Sequence, residues 1–288
     1  MKKTLKKIVL CLLVALLALS CLTACGGKNN TSGTASSGSS SDSAVMAKIK
    51  SAGKLVVYTE AGFAPYEFLY NNEIVGVDMQ IAAEIAKELG VTLEVTDVAF
   101  DTICAAVKSG KADLGTAGIT ITDERKESVD FSDPYTSTAQ YVVLAIDNDT
   151  IKTVEDLAGK NIGVQQGTTS DIMVEKLIND GVCAGATSTG YTAPAVAAAS
   201  IGKIDAVVTD KLTAETIVAN NEGKYQCFKL VKTDGSDAAE SEYYGIAVPQ
   251  NSPDLLAVVN TVVNRLIADG SISKWEQEYQ DIAKGLEG

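Results

Sequence analysis

From position 45 onward the chain alternates between short β-branched apolar runs and longer stretches whose apolar residues recur every three or four positions. The first kind suits a buried or half-buried strand, the second an amphipathic helix. On that pattern residues 54–59 (KLVVYT) predict a strand, 78–89 (DMQIAAEIAKEL) a helix stopped at Gly90, and 91–95 a second strand. A second helix follows over 100–108, closed by Ser109-Gly110, and a short buried strand begins at Leu114. The series then restarts, with strands at 141–146 and 161–164, helix 170–179, strand 187–190, helix 195–201 and strand 206–209. A further strand at 244–248 and helices over 253–268 and 273–283 close the chain. Strands alternating with helices predict an α/β fold with mainly parallel sheets and helices on both faces. Two successive units of similar size are expected, without an alignable repeat.

The first 44 residues follow a different pattern. Lys2, Lys3, Lys6 and Lys7 precede an uninterrupted apolar run from Ile8 to Leu19. That run is well short of the ~20 residues that span a bilayer as a helix. A cationic cap, a short apolar segment and a small-residue site at Ala24 predict a signal peptide over 1–24. Residues 26–43 are nearly all Gly, Ser, Thr, Asn and Ala, a composition that buries no core. Such a tether spans roughly 20–25 Å, and the folded body is expected to begin near Val45. The tetrapeptide Leu22-Thr23-Ala24-Cys25 resembles the lipobox of bacterial lipoproteins. The resemblance implies cleavage before Cys25 and a diacylglycerol thioether on its sulfur, with palmitate among the acyl chains. It also implies a lipid anchor holding the protein to the outer face of the cell membrane or in the periplasm. Acyl chains supply ~0.8 kcal/mol per buried methylene.

Composition narrows the chemistry. Without the four leader lysines, and with no acidic residue in the leader, the formal charge falls from −13 to −17. Such acidity disfavours nucleic acid and anionic membrane surfaces, which need basic patches. The chain has no histidine, so a Ser-His-Asp or Cys-His nucleophile is excluded and the commonest transition-metal ligand is missing. Of six cysteines, Cys104, Cys183 and Cys227 remain beyond Cys25, widely spaced and without a C-x-x-C pair. Buried free thiols are expected ahead of a disulfide. No metal and no cofactor is implied.

Three polar clusters carry candidate chemistry. The first is Gly118-Ile119-Thr120-Ile121-Thr122-Asp123-Glu124-Arg125 with the following Phe131-Ser132-Asp133-Pro134-Tyr135, beyond the carboxyl end of an expected parallel strand. Open α/β sheets bind ligands there, although Arg125 could equally be a solvated helix residue. The second is Gln165-Gln166-Gly167-Thr168-Thr169 leading into a helix, a turn that either binds an anion on backbone N–H groups or simply caps the helix. The third is Asp210, at a strand's carboxyl end, which can bind a cation or cap the next helix. Trp275 reads as a packing residue, and Asp130, Asp133 and Pro134 as turn formers.

Taken in order, these clusters with Phe63-Ala64-Pro65-Tyr66-Glu67-Phe68 and Gly76-Val77-Asp78 resemble the family 3 solute-binding proteins, the polar amino-acid receptors of bacterial ABC importers. The resemblance runs from Lys54 to Tyr279. It implies a two-lobed, periplasmic-binding-protein-like (Venus-flytrap) fold with two hinge strands, near residues 138–142 and 242–245. Lobe 1 would comprise 45–139 and 244–288, lobe 2 residues 140–243, after a lipidated linker at 25–44. It further implies a ligand clamp in which Arg125 pairs with the α-carboxylate and Thr120 adds its hydroxyl. Gly118 would offer its carbonyl to the ammonium, Thr168 and Thr169 would cap the carboxylate, and Asp210 would neutralise the ammonium. Glu60, Phe63 and Phe100, after the first two strands, should face the cleft mouth and select the side chain. A polar or cationic amino acid is expected, arginine ahead of lysine, glutamine and cystine, delivered by a monomer to an ABC permease. The alternative is an enzyme similar to the secreted cyclohexadienyl dehydratases of the same fold, with Glu60 as the acid.

Overall fold

The structure is a computed structural model that describes residues 42–285. Cys25, the leader and most of the linker lie outside the described residues. The body opens with helix α1 (Ala44–Ala52), capped by Ser43, whose hydroxyl accepts from Met46 N at 3.1 Å. Strand β1 (Lys54–Thr59) buries alternate residues Leu55, Val57 and Thr59. A small antiparallel sheet follows, of β2 (Gly62–Phe63), β3 (Glu67–Tyr70) and β4 (Glu73–Val75). Then come α2 (Val77–Leu89), β5 (Thr92–Asp97), α3 (Ile103–Lys108, after a 3₁₀ turn at Phe100–Thr102), β6 (Leu114–Gly115), α4 (Asp123–Lys126) and β7 (Asp130–Phe131).

Strand β8 (Thr136–Thr138) leads into β9 (Gln140–Ala145), β10 (Asn161–Gln165), α5 (Thr169–Asn179), β11 (Thr187–Tyr191), α6 (Pro194–Ala198) and β12 (Ala206–Asp210). After α7 (Lys211–Asn220) and β13 (Tyr225–Lys229) the chain returns through β14 (Glu242–Tyr244) and β15 (Ala247–Val248) to α8 (Pro253–Ala268) and α9 (Ser271–Ala283).

Two five-stranded sheets result, ordered β5-β1-β6-β15-β7 and β11-β10-β12-β9-β13. Both are mixed, which corrects the expectation of mainly parallel sheets. β1 pairs in parallel with β5 and β6, but β15 runs antiparallel to β6 and β7. In the second sheet β10 pairs in parallel with β11 and β12, and β9 antiparallel with β12 and β13. The antiparallel strands are those by which the chain passes from one sheet to the other and back. Between the sheets β8 and β14 pair with each other, with Thr138 opposite Glu242. This two-sheet, two-connection layout is the two-lobed fold expected from the motifs.

Period-two alternation gives each sheet two buried faces. Leu55, Val57 and Leu114 pack with Ile81 and Ile85 of α2 and with Leu255, Val259, Val262 and Leu266 of α8. Ile103 and Val107 of α3 cover the other side with Ile119 and Ala247. In the second sheet Val142, Leu144, Ile162, Val164 and Val208 face Val174 of α5, whereas Val143 and Val207 face α6 and α7. Each fully buried aliphatic side chain contributes about 1.5–3 kcal/mol. Trp275 packs against the first core.

The strand expected at 244–248 is instead two strands in different sheets, separated at Gly245-Ile246. Gly245 N donates to Ile119 O, and a Cβ on Gly245 would meet Ile121 at 2.8 Å. Asp130 pairs within β7 rather than forming a turn. The helix read at 195–201 spans Pro194–Ala198. Cys104, Cys183 and Cys227 are free thiols, Cys183 buried and the others half-buried. Among the described residues no single helix is long and apolar enough to cross a membrane.

Candidate functional site

The sites meet where the ends of β1, β6, β10 and β12 approach one another. A narrow cleft there is lined by Phe63, Phe100, Ala117, Gly118, Thr120, Arg125, Gln165, Thr168, Thr169 and Asp210. Eight of the nine residues singled out in the sequence are therefore brought together. The ninth, Glu60, lines an adjoining cavity of about 380 Å³ with Asp97, Val98, Ala99, Phe100, Asp101, Gln166, Tyr191 and Thr192. Phe100 is a wall of both.

Gly118 owes its place to a buried carboxylate that motif reading passed over. Asp78, in the first turn of α2 and fully buried, accepts from Gly118 N and Thr116 Oγ1 at 2.8 Å and from the Tyr135 hydroxyl at 2.7 Å. Gly118 adopts φ +53°, and a Cβ there would lie 2.7 Å from the Phe63 ring. Burial pushes Asp78 above the usual carboxylate range, with its three donors acting against the shift. The neighbouring Glu67 is held well above that range by burial and by the charge of Asp78.

Arg125 sits on α4, whose N-cap Thr122 accepts from Arg125 N. The half-buried guanidinium lies 5.3 Å from the centroid of the Phe100 ring, a cation–π contact. It donates to Thr120 O at 2.7 Å and to Gly167 O, beyond β10, at 3.2 Å. A guanidinium carries five donors, so these bonds leave it capacity. Gly167 approaches so closely that a Cβ would meet Asp101 Cβ at 2.7 Å, and its φ is +76°.

The threonine hydroxyls are engaged. Thr168 caps α5, accepting from Asp171 N at 3.3 Å while donating to Gln165 O at 2.8 Å. Thr169 Oγ1 and Thr120 Oγ1 both donate to Glu242 Oε2, at 2.6 and 3.0 Å. Glu242 had no signal in the sequence beyond its place at an expected hinge.

Asp210 stands at the N-cap of α7 yet its side chain makes no cap hydrogen bond. It is 8% exposed, and its Oδ1 has no hydrogen-bond partner. Burial raises its carboxyl to about 7, with the charge of Glu242 adding and the nearby hydroxyls of Tyr244 and Thr138 and the charge of Arg125 acting against it. Glu60 is also raised to about 7, chiefly by burial, with the Gln165 bond opposing and Asp97 adding. Phe63 does not stack on Phe100. It is buried against Tyr66, their ring centroids 5.8 Å apart, and edge-on to Tyr244. Among the described residues no cluster of three or more His, Cys, Asp or Glu side chains could hold a metal ion.

This arrangement offers a cation-seeking carboxylate and an anion-seeking guanidinium in the lining of one cleft. Residues 55–282 match the sequence profile of the bacterial extracellular solute-binding proteins, family 3. The chain belongs to this family. Membership places the solute-binding protein outside the cytoplasm and makes it an amino-acid-binding protein of the ABC-transporter class. It is 30% identical over 227 residues to a probable histidine-binding protein of Campylobacter jejuni, covering 78% of this chain and 84% of that one. It is 38% identical over 159 residues to the arginine-binding extracellular protein ArtP of Bacillus subtilis, covering 55% and 56%. Among solved structures, a substrate-binding protein AbpA of Streptococcus pneumoniae bound to L-arginine superposes with a TM-score of 0.75 at 30% identity, covering 82% of this chain and 98% of that one.

Proposed function

We propose that the protein captures a polar or cationic α-amino acid, arginine foremost, and delivers it to an ABC permease. The observation that carries this reading is Asp210: a buried carboxylate in the cleft lining, at a helix N-terminus, that declines to cap its helix and has an Oδ1 without a hydrogen-bond partner. Leaving a buried acceptor unpaired costs about 1–3 kcal/mol, a cost that a ligand ammonium removes. Arg125 takes the ligand carboxylate, helped by the N-terminus of α5 at Thr168-Thr169, where backbone N–H groups favour an anion. Gly118 offers its carbonyl to the ammonium. Both ligand charges are then paired, as burial of a zwitterion requires.

The side chain passes Phe100 into the adjoining cavity. Glu60, Asp97 and Asp101 line it, and no lysine or arginine does. That lining favours a distal donor or cation and opposes a distal carboxylate. Lobe 1 is drawn from residues 45–139 and 244–288 and lobe 2 from 140–243, with β8 and β14 as hinges and a monomer as the working unit. Cys25 carries the lipid anchor. A second reading, elimination chemistry of the cyclohexadienyl dehydratase kind, has one observation in its favour, a Glu60 carboxyl raised to about 7. Calorimetric titration with the twenty amino acids, ornithine, cystine, prephenate and arogenate separates the two. Tight binding of L-arginine or another polar amino acid without turnover supports the receptor, and water loss from prephenate or arogenate sinks it.

A further inference from the structure

Glu242 is an acidic side chain that receives hydroxyl donors from both lobes. Its Oε2 receives the hydroxyls of Thr120, which follows the first sheet, and Thr169, which opens the helix after β10. Its Oε1 receives Gln140 Nε2 at 2.9 Å, and Gln140 is itself oriented by Ser170 Oγ donating to its carbonyl at 2.7 Å. Every contact therefore runs toward the carboxylate. A hydroxyl has a single proton and two lone pairs. Once that proton points at Glu242, the oxygen can only accept from anything else.

We infer that Glu242 is a positioning residue that sets the polarity of the cleft: by taking the hydroxyl protons of Thr120 and Thr169 it leaves Thr120 Oγ1 as an acceptor for the ligand ammonium, and it ties the lobes at the same point. The inference rests on the amino-acid reading above and changes the role of Thr120, from donor to the carboxylate to acceptor for the ammonium. Thr120 and Asp210, whose Oδ1 is unpaired, line the same cleft as Gly118. A primary ammonium has three N–H donors, and Gly118, Thr120 and Asp210 of the cleft lining offer acceptors to meet them. A ligand without the ammonium meets lone pairs with lone pairs. Arg125, whose Nη1 already donates to Thr120 O, supplies the donors for the ligand carboxylate.

The test is calorimetry on the full chain and on its Glu242→Ala and Glu242→Gln variants, with L-arginine and with 5-guanidinopentanoate, which lacks the α-ammonium. Glu242→Ala is expected to weaken L-arginine about tenfold or more, the loss of a hydrogen bond to a charged group. It should leave 5-guanidinopentanoate unchanged or tighter, so that discrimination collapses. Glu242→Gln, of the same shape with one acceptor oxygen kept, should fall between the alanine variant and the wild type and guards against a folding defect. Tighter L-arginine binding in Glu242→Ala would mean that Glu242 competes for donors to the ligand carboxylate. Equal losses for both ligands would mean scaffolding alone. Either result overturns the inference. Small-angle scattering without any amino acid reads the lobe tie separately. A larger radius of gyration in Glu242→Ala is expected, and an equal one overturns the tie whether or not L-arginine binds. Failure of the wild type to bind any amino acid would instead sink the receptor reading.

Discussion

Gln165 Nε2 donates to Glu60 Oε2 over 2.9 Å, joining the end of β10 to the residue after β1. The same nitrogen donates to Thr192 O at 3.0 Å, so the amide is held from two directions. The carboxylate is thereby fixed at the wall of the larger cavity, where a distal ligand cation would meet it. Glu60→Gln is expected to weaken L-arginine by about tenfold to a hundredfold, as for a lost hydrogen bond to a charged group. L-Glutamine should lose less. Competition binding across the amino acids checks this, and an unchanged L-arginine affinity removes Glu60 from the site.

In the proposed clamp Arg125 and Asp210 serve opposite ends of the ligand, so that losing either leaves a buried ligand charge unpaired. Such truncations cost about 2–5 kcal/mol, or some thirtyfold to several-thousandfold in affinity. Arg125→Ala and Asp210→Asn should each lose at least the lower figure by calorimetry. A variant that binds as tightly as the wild type is not part of the clamp.

Asp210 also predicts a pH dependence. Its carboxyl is raised from 3.8 to about 7 in the fold, so the native state holds that proton more tightly than the unfolded chain does. Stability from this group is fully present below about pH 4 and is lost as pH rises through about 7. The melting temperature of Asp210→Asn relative to wild type should therefore rise between pH 4 and pH 7 and level off above. Ligand affinity of the wild type should move the other way, strengthening as Asp210 ionises. A constant difference in melting temperature across that range contradicts the assignment.

Gly118→Ala should damage both fold and binding. The added methyl meets the Phe63 ring at 2.7 Å, at a φ of +53° that L-residues seldom adopt. Overpacking costs about 1–3 kcal/mol and the backbone strain about 1–3 kcal/mol more. Denaturant unfolding measures the loss. A variant of wild-type stability would show that the turn relaxes easily.

Anchoring is tested at Cys25. Intact mass of the membrane-extracted protein should give a chain that begins at a lipid-modified Cys25, and Cys25→Ser should block lipidation and the maturation that depends on it. An unmodified mature chain that begins at another residue contradicts the anchor.

The two-lobed fold was legible because its helices and central strands carry strong periodicity and its motifs fall at strand ends. The hairpin of β2 to β4 was not, since two- to four-residue strands leave no alternation to read. Nor was the split after Tyr244: residues 244–248 read as one apolar run, and only the approach of Ile121 and Phe131 to Gly245 explains why the strand breaks there. Within the candidate site, ordered motifs pointed to Arg125, Gly118 and Asp210, which line one cleft. Asp78, seen only as part of a motif, and Glu242, seen only as part of a hinge, were given no role, because their bonding rests on donors that arrive from 38 to 122 positions away. Sequence order gives no hint of such convergence.

The return of β15 to the first sheet has a consequence for biogenesis. β15 lies between β6 and β7, so the sheet that forms first in chain order cannot be completed until residues 247–248 have emerged. Helix α8, which covers the face lined by Leu55 and Val57, arrives later still. The second sheet is built from one continuous stretch, β9 to β13, and can condense while the first half of the chain still waits. A chain cut short of α8 would therefore hold every strand of the second sheet yet leave Leu55 and Val57 of the first sheet without the helix that covers them.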